Sequence, residues 1–176
     1  RCIWLDDGRV KRIGPSAEII QDYLRGNEVC LAERVWPDRT VAPGDANVRL
    51  TRVAAIGQGG AIASLVDIRL PLDLVVEFEV LAASAVHVLL KLTNEAGVDI
   101  LATADNHVPE WRDRLRQPGR YRSVCHLPGN LLAEGRHLVT VTLADATLRL
   151  KRAHGVAEQA IAFDVHDPMD GTSVRG

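Results

Sequence analysis

Between Asn106 and Arg122 the chain reads NHVPEWRDRLRQPGRYR. This stretch holds an indole, Trp111, a phenol, Tyr121, and five arginines: Arg112, Arg114, Arg116, Arg120 and Arg122. An indole face can stack on the apolar C–H face of a sugar ring, and guanidinium forks bind hydroxyls, carboxylates or phosphates. Bases interleaved with aromatics also suit single-stranded nucleic acid. A plainer alternative has Trp111 capping a core while the arginines stay solvated or pair with Glu110 and Asp113. The whole chain carries 21 Lys and Arg against 23 Asp and Glu, a net charge of −2, which argues against nucleic acid or an anionic membrane as partner.

Three further groups could do chemistry. Glu77 and Glu79 stand two apart on an apparent strand and could flank a glycosidic bond as acid and base. A solvated strand face explains them as well. His87 and Lys91 share the polar side of the next strand, VHVLLKL, and become binding residues only if that face is concave and covered by the long loop. The candidate ligand contacts are therefore Trp111, Arg112, Arg114, Arg122, His87 and Lys91, and no residue is assigned to catalysis. The sequence has no GxxxxGK[ST] phosphate loop, no GxSxG elbow and no HExxH. GQGG at 57–60 lacks the Lys and helix of a phosphate loop and reads as a turn. The six histidines are scattered, so neither a metal nor a cofactor is expected in this stretch. Cys2, Cys30 and Cys125 are odd in number and widely spaced, which fits a reducing compartment better than a disulfide framework.

The elements that must position these groups follow from periodicity. VRLTRVAAI, LVDIRL, LDLVVEFEVLA, AVHVLLKLTN, VDILATAD, GRYRSVCHLP, HLVTVTLAD, TLRLKRA and QAIAFDVHD read as eight or nine short strands separated by turns. Val76, Phe78 and Val80 alternate with Glu77 and Glu79. Val86, Val88, Leu90 and Leu92 share one face of their strand, Val139, Val141 and Leu143 one face of theirs, and Ile161, Phe163 and Val165 one face of the last. Tyr121 falls at a strand start and is expected in the core. LPGNLLAEG suggests a single helical turn. No amphipathic helix separates the strands, which predicts a mostly β, antiparallel sandwich over residues 46–176.

Residues 1–26 form a different unit. CIWL and RVKRIG flank the turn DDG, predicting a hairpin. GPSAEIIQDYLRG predicts a helix, with Pro15 in its first turn, an Ile19, Ile20, Tyr23 and Leu24 stripe, and Gly26 as its stop. Between them and the strands, residues 27–45 contain RVWPDRTVAPGDAN, which predicts an extended linker.

Two resemblances carry the reading further. CIWLDDGRVKRIGPSAEIIQDYL resembles the end of the ATPase domain of ABC transporters that export polysaccharide; the matching residues are Cys2, Trp4, Leu5, Gly8, Gly14, Pro15, Ile19 and Tyr23. The remainder resembles the C-terminal domain of Wzt-type O-antigen exporters. The supporting pieces are VRLTRV, VVEFEV, LTNEAG, the PGRYRSVCHLPGNLLAEGRHLVTVTL segment and AFDVHDPMDGTSVRG. In that segment Pro128, Leu131, Leu132 and Gly135 fill the family's turn, whereas Arg136-His137 stand where its members usually carry an aromatic.

The resemblance implies an immunoglobulin-like sandwich that binds a lipid-linked glycan without catalysis. It implies a homodimer, often with an exchanged C-terminal strand, at the cytoplasmic face of the inner membrane. ATP and Mg would belong to an ATPase domain, which would also contact the transmembrane subunit. No individual glycan contact is carried over. The alternatives are a domain that only dimerises and braces the ATPases, and a glycan-processing enzyme using Glu77 and Glu79.

Overall fold

The computed structural model describes residues 1–6, 8–16, 19, 31–107, 114–145 and 153–168. Eleven strands run through them in three sheets. β1 (Cys2–Asp6) and β2 (Arg9–Gly14) form the expected hairpin, turning at Gly8 with φ +75°. Ser16 and Ile19 have helical backbone, and the Ile19 amide donates to the Pro15 carbonyl at 3.1 Å. Ile20, Tyr23 and the rest of the expected helix lie outside the described residues. Trp4 and Ile19 are buried, with the Lys11 ammonium 4.2 Å from the Trp4 ring. Ile3 is 56% exposed on the opposite side of the hairpin from Trp4, because successive residues of a strand face opposite ways.

The other nine strands form a two-layer sandwich. One sheet is ordered β3-β4-β6-β9: Glu33–Val35, Val48–Ile56, Leu72–Val80 and Gly119–Leu127. The second is ordered β5-β11-β10-β7-β8: Leu65–Asp67, Ala153–His166, Gly135–Asp145, Val86–Asn94 and Asp99–Ala104. All pairings are antiparallel except β5 on β11. The alternating apolar residues do what a period of two requires: Val76, Phe78, Val88, Leu92, Val139, Val141, Ile161 and Phe163 all meet between the sheets. Burying each large side chain of this kind contributes about 1.5–3 kcal/mol. Tyr121 packs on this core as expected, its ring stacked on Phe78 at 5.6 Å.

Two expectations are corrected. The extended linker of residues 27–45 is, from residue 31 onward, part of the sandwich. The Leu31 carbonyl accepts from Ala162 of β11 and the Ala32 carbonyl from Ala55 of β4, so the segment stitches the two sheets along one edge. Trp36 and Ala42 then bury in the core. Further on, the chain crosses β11 so closely that a Cβ on Gly155 would lie 2.4 Å from the Gly44 nitrogen. The prolines and the lack of alternation hid this, because such a segment takes its backbone partners from distant strands. LPGNLLAEG, expected as a helical turn, is an irregular turn. Asn130 sits at φ 62°, and its amide reaches the Ile68 carbonyl at 2.6 Å. Gly129 leaves no room for a Cβ against the Arg69 backbone.

Candidate functional site

Three neighbouring strands carry a ladder of charge on the outer face of the four-stranded sheet. Register sets Arg52 of β4 and Arg122 of β9 on either side of Glu77 of β6. One step along, Arg49 and Arg120 flank Glu79. Directly opposed cross-strand side chains lie close enough to interact. A bulge at Thr51, between Leu50 and Arg52, shifts the β4 register locally while keeping Arg52 outward and Val53 inward.

The carboxylates turn toward β4 and the segment before it. Arg52 binds Glu33 at 2.7 Å and Glu77 at 3.0 Å. Arg39 reaches Glu79 at 2.7 Å. The hydrogen bond that Arg52 donates to the Glu33 carboxylate raises the Arg52 pKa; burial lowers it less, and the bond donated to Glu77 adds to the rise. Arg49 instead donates to the Ala42 carbonyl. No ion pair holds Arg120 or Arg122 among the described residues, and both are exposed.

Trp36, following β3, stands at the side of this ladder with the Arg34 guanidinium 5.0 Å from its ring. Together they shape a groove of about 440 Å³, lined among others by Trp36, Arg39, Arg52, Glu77, Glu79 and Arg122. An aromatic edge, four guanidiniums and two carboxylates in one groove can hold a polyhydroxylated ligand through hydrogen bonds of both polarities.

The long loop between β8 and β9 is held at its base. Asp105, in the turn just after β8, accepts from Arg116 at 2.6 Å and from the Val88 amide at 3.0 Å, and lies 3.2 Å from His87 Nδ1. Ser84 and Arg116 exchange both backbone hydrogen bonds. The Arg116 guanidinium covers Phe78 and Tyr121, 5.2 and 5.4 Å from their rings. This clasp ties the five-stranded sheet to the four-stranded one and sets where the chain enters β9, next to the Arg120 end of the groove.

The sequence candidates therefore separate. Arg122 lies in the groove. Arg114 is exposed just outside the clasp. Trp111 and Arg112 lie outside the described residues. His87, expected on a polar strand face, is instead 3% exposed, because the turn after β8 brings Asp105 over it. Lys91 is exposed and 3.4 Å from Asp99, but β7 belongs to the other sheet, so it does not share a face with Arg122. Arg116, one of the five loop arginines, is the buried clasp. Glu77 and Glu79 are bound by arginines in the groove. Sequence reading missed Trp36, Arg39 and Arg52. The signal that could have found Arg52 is the alternation of Arg, Glu and Arg at outward positions of three strands, which needs the register to be visible.

This arrangement defines a class: a two-layer, mostly antiparallel β-sandwich with a polar groove on one outer face. No family model matches the sequence, and no curated protein does either. Among solved structures, the fold is similar to the C-terminal domain of wzt, with a TM-score of 0.63 at 12% identity over 82% of this chain and 86% of that one. At that identity the likeness is one of fold. The CARDB domain of the PF1109 protein in complex with di-metal ions, from Pyrococcus furiosus, aligns over 68% of this chain and 94% of its own at 13% identity. Its TM-score is 0.40, too distant to carry an argument.

Proposed function

We propose that the sandwich is a non-catalytic module that recognises a lipid-linked cell-surface polysaccharide of the O-antigen type for export by an ABC transporter. The observation that carries this reading is the groove between Trp36 and the Arg–Glu–Arg ladder, on a fold similar to the wzt C-terminal domain. In this reading the sandwich is immunoglobulin-like. Residues 1–26 are the last elements of an ATPase domain, through which the transmembrane subunit is met. The protein works at the cytoplasmic face of the inner membrane, as a homodimer. No helix among the described residues is long and apolar enough to cross a membrane, which says nothing of strands.

Sugar hydroxyls would exchange hydrogen bonds with Glu77, Glu79 and the guanidiniums, each contributing about 0.5–1.5 kcal/mol net. Trp111, Arg112 and Arg114 are kept as further candidate contacts, the first two lying outside the described residues. Lys91, on the other sheet, is not assigned to this site. The test is calorimetric titration with the source organism's surface polysaccharide, using the native chain and Arg122→Ala. Saturable binding by the native chain and its loss in the variant are expected; a native chain blind to the cognate glycan defeats the reading.

A second reading, in which the domain only pairs and braces, is favoured by one observation. The outer face of the five-stranded sheet presents a patch of uncharged side chains, Leu89, Thr140, Thr142 and Val156, beside the Lys91–Asp99 and Arg136–Asp164 pairs. Light scattering on Val156→Lys decides it: a dimer that falls to monomer, in a chain that binds no glycan, establishes bracing alone.

A further inference from the structure

We infer that the ligand of the groove is an acidic glycan, one whose sugars carry carboxylate or phosphate groups. This rests on the glycan reading above and specifies its chemistry. The groove lining counts four arginines against two glutamates, and Glu33 beside it also binds Arg52, so the cluster carries one positive charge in a chain whose net charge is −2. The excess has an address. Glu79 is taken by Arg39 and Glu77 by Arg52, so the two glutamates neutralise the side of the groove made by β4 and the segment before it. Arg120 and Arg122 on β9 have no ion pair among the described residues, although the register places each opposite one of those glutamates.

The two stand two residues apart on the edge strand of their sheet, so their backbones are roughly 7 Å apart and both side chains face outward. A neutral sugar asks only for hydrogen-bond donors and acceptors, which amides and hydroxyls supply at lower electrostatic cost. A guanidinium fork matches the two oxygens of a carboxylate or phosphate, and a charge-assisted bond is about twice as strong as a neutral one. A row of two such forks beside a polar groove fits a chain of sugars bearing anions. The glutamates then face hydroxyls on the neutral side of the same rings, and they repel a ligand charged on both sides, which gives the groove a preferred ligand orientation.

The experiment is calorimetric titration of the full chain with dextran as neutral polymer, polygalacturonate as carboxylate polymer and a sugar-bearing teichoic acid as phosphate polymer, each at low and physiological salt. Polyuridylate serves as an anion without the glycan. Binding to polygalacturonate or teichoic acid is expected, the two arms telling carboxylate from phosphate, with affinity falling as salt rises. Arg120→Gln/Arg122→Gln should weaken it about tenfold or more at an unchanged melting temperature, since both side chains are exposed. Arg122→Lys, which keeps the charge and loses the fork, should fall between. Binding of dextran or the cognate polysaccharide that is indifferent to salt and to the double substitution overturns the acidic specificity and leaves the glycan reading standing. Equal affinity for polyuridylate overturns it too, because charge alone would then suffice. A chain that binds no glycan of either kind, the cognate polysaccharide included, overturns the glycan reading itself.

Discussion

The two outer faces of the sandwich are built on the same alternation and differ in nearly everything else. On the four-stranded sheet, Arg52, Glu77, Arg122, Glu79 and Arg120 form a ladder beside a groove, with Trp36 at its side. On the five-stranded sheet, the outward positions of the paired strands β7, β10 and β11 hold Leu89, Lys91, Thr140, Thr142 and Val156, together with the Arg136–Asp164 ion pair. Folding constrains only the inward residues, which must be apolar and close-packed. The outward ones are free, so the charged row Arg52–Glu77–Arg122 across three strands on one face, against the uncharged row Leu89–Thr142–Val156 across three strands on the other, is a difference that packing does not demand. On the reading proposed above, the four-stranded face would meet the polar ligand and the five-stranded face would lie against another surface.

Trp36→Ala should break the comparison most severely. It removes both a core residue and the side of the groove, and costs about 3–5 kcal/mol, whereas Thr142→Ala on the opposite face changes stability by no more than about 0.5 kcal/mol. Chemical denaturation of both variants checks this; equal losses would mean that the groove side has no special place in the core. Next in size is Arg116→Met, which leaves Asp105 without its buried cation and costs about 3 kcal/mol. That variant should also free the loop that joins the faces, read as faster amide exchange at Val88, whose N–H the Asp105 carboxylate holds.

A pH scan tests what lies between the faces. His137 on β10 points inward, 1% exposed and stacked on Phe163. Burial pushes its pKa below the ordinary 6.5, against the opposing pull of the Gly135 carbonyl and the Asp164 charge. The unfolded chain then binds the proton more readily than the folded one, so stability should fall as pH drops below 6.5 toward the folded-state value. In His137→Phe that part of the slope should vanish from melting temperatures measured across the window. Asp67, held at a pKa of about 2 by Arg69, contributes in the same sense over a lower range: its share is present above the ordinary 3.8 and lost as pH falls through about 2. The smallest expected effect is at the groove itself. Arg52→Ala severs two partly exposed ion pairs and should cost less than about 1 kcal/mol, shrinking further in salt, while glycan affinity falls. A larger stability loss there would mean that the ladder holds the sheet together more than it serves a ligand.

The strands were legible because each buries one face, and one-sided burial writes a period of two into the sequence. The alternation of β6, β7, β10 and β11 could be read directly, and so could the inward turn of Phe78 and Phe163. His87 was misread for the same reason: its position in the alternation is outward, and only the turn carrying Asp105 buries it. The segment from residue 31 to 45 was misread because its hydrogen bonds run to two different sheets and impose no local period. Of the groove, Glu77, Glu79 and Arg122 were noticed as residues but not as neighbours.

By itself the sequence determined which residues alternate, that the chain is mostly β, and that a hairpin forms over Cys2–Gly14. Local sterics and burial act within a few residues, so they leave their mark in the order of the letters. Only the tertiary structure decided which strands are neighbours. It brought Arg52, Glu77 and Arg122 into line, put Lys91 on the far sheet and turned Arg116 into a clasp. Strand pairing is long-range, and the register that aligns three charges is set by backbone hydrogen bonds between segments dozens of residues apart, which no local pattern records.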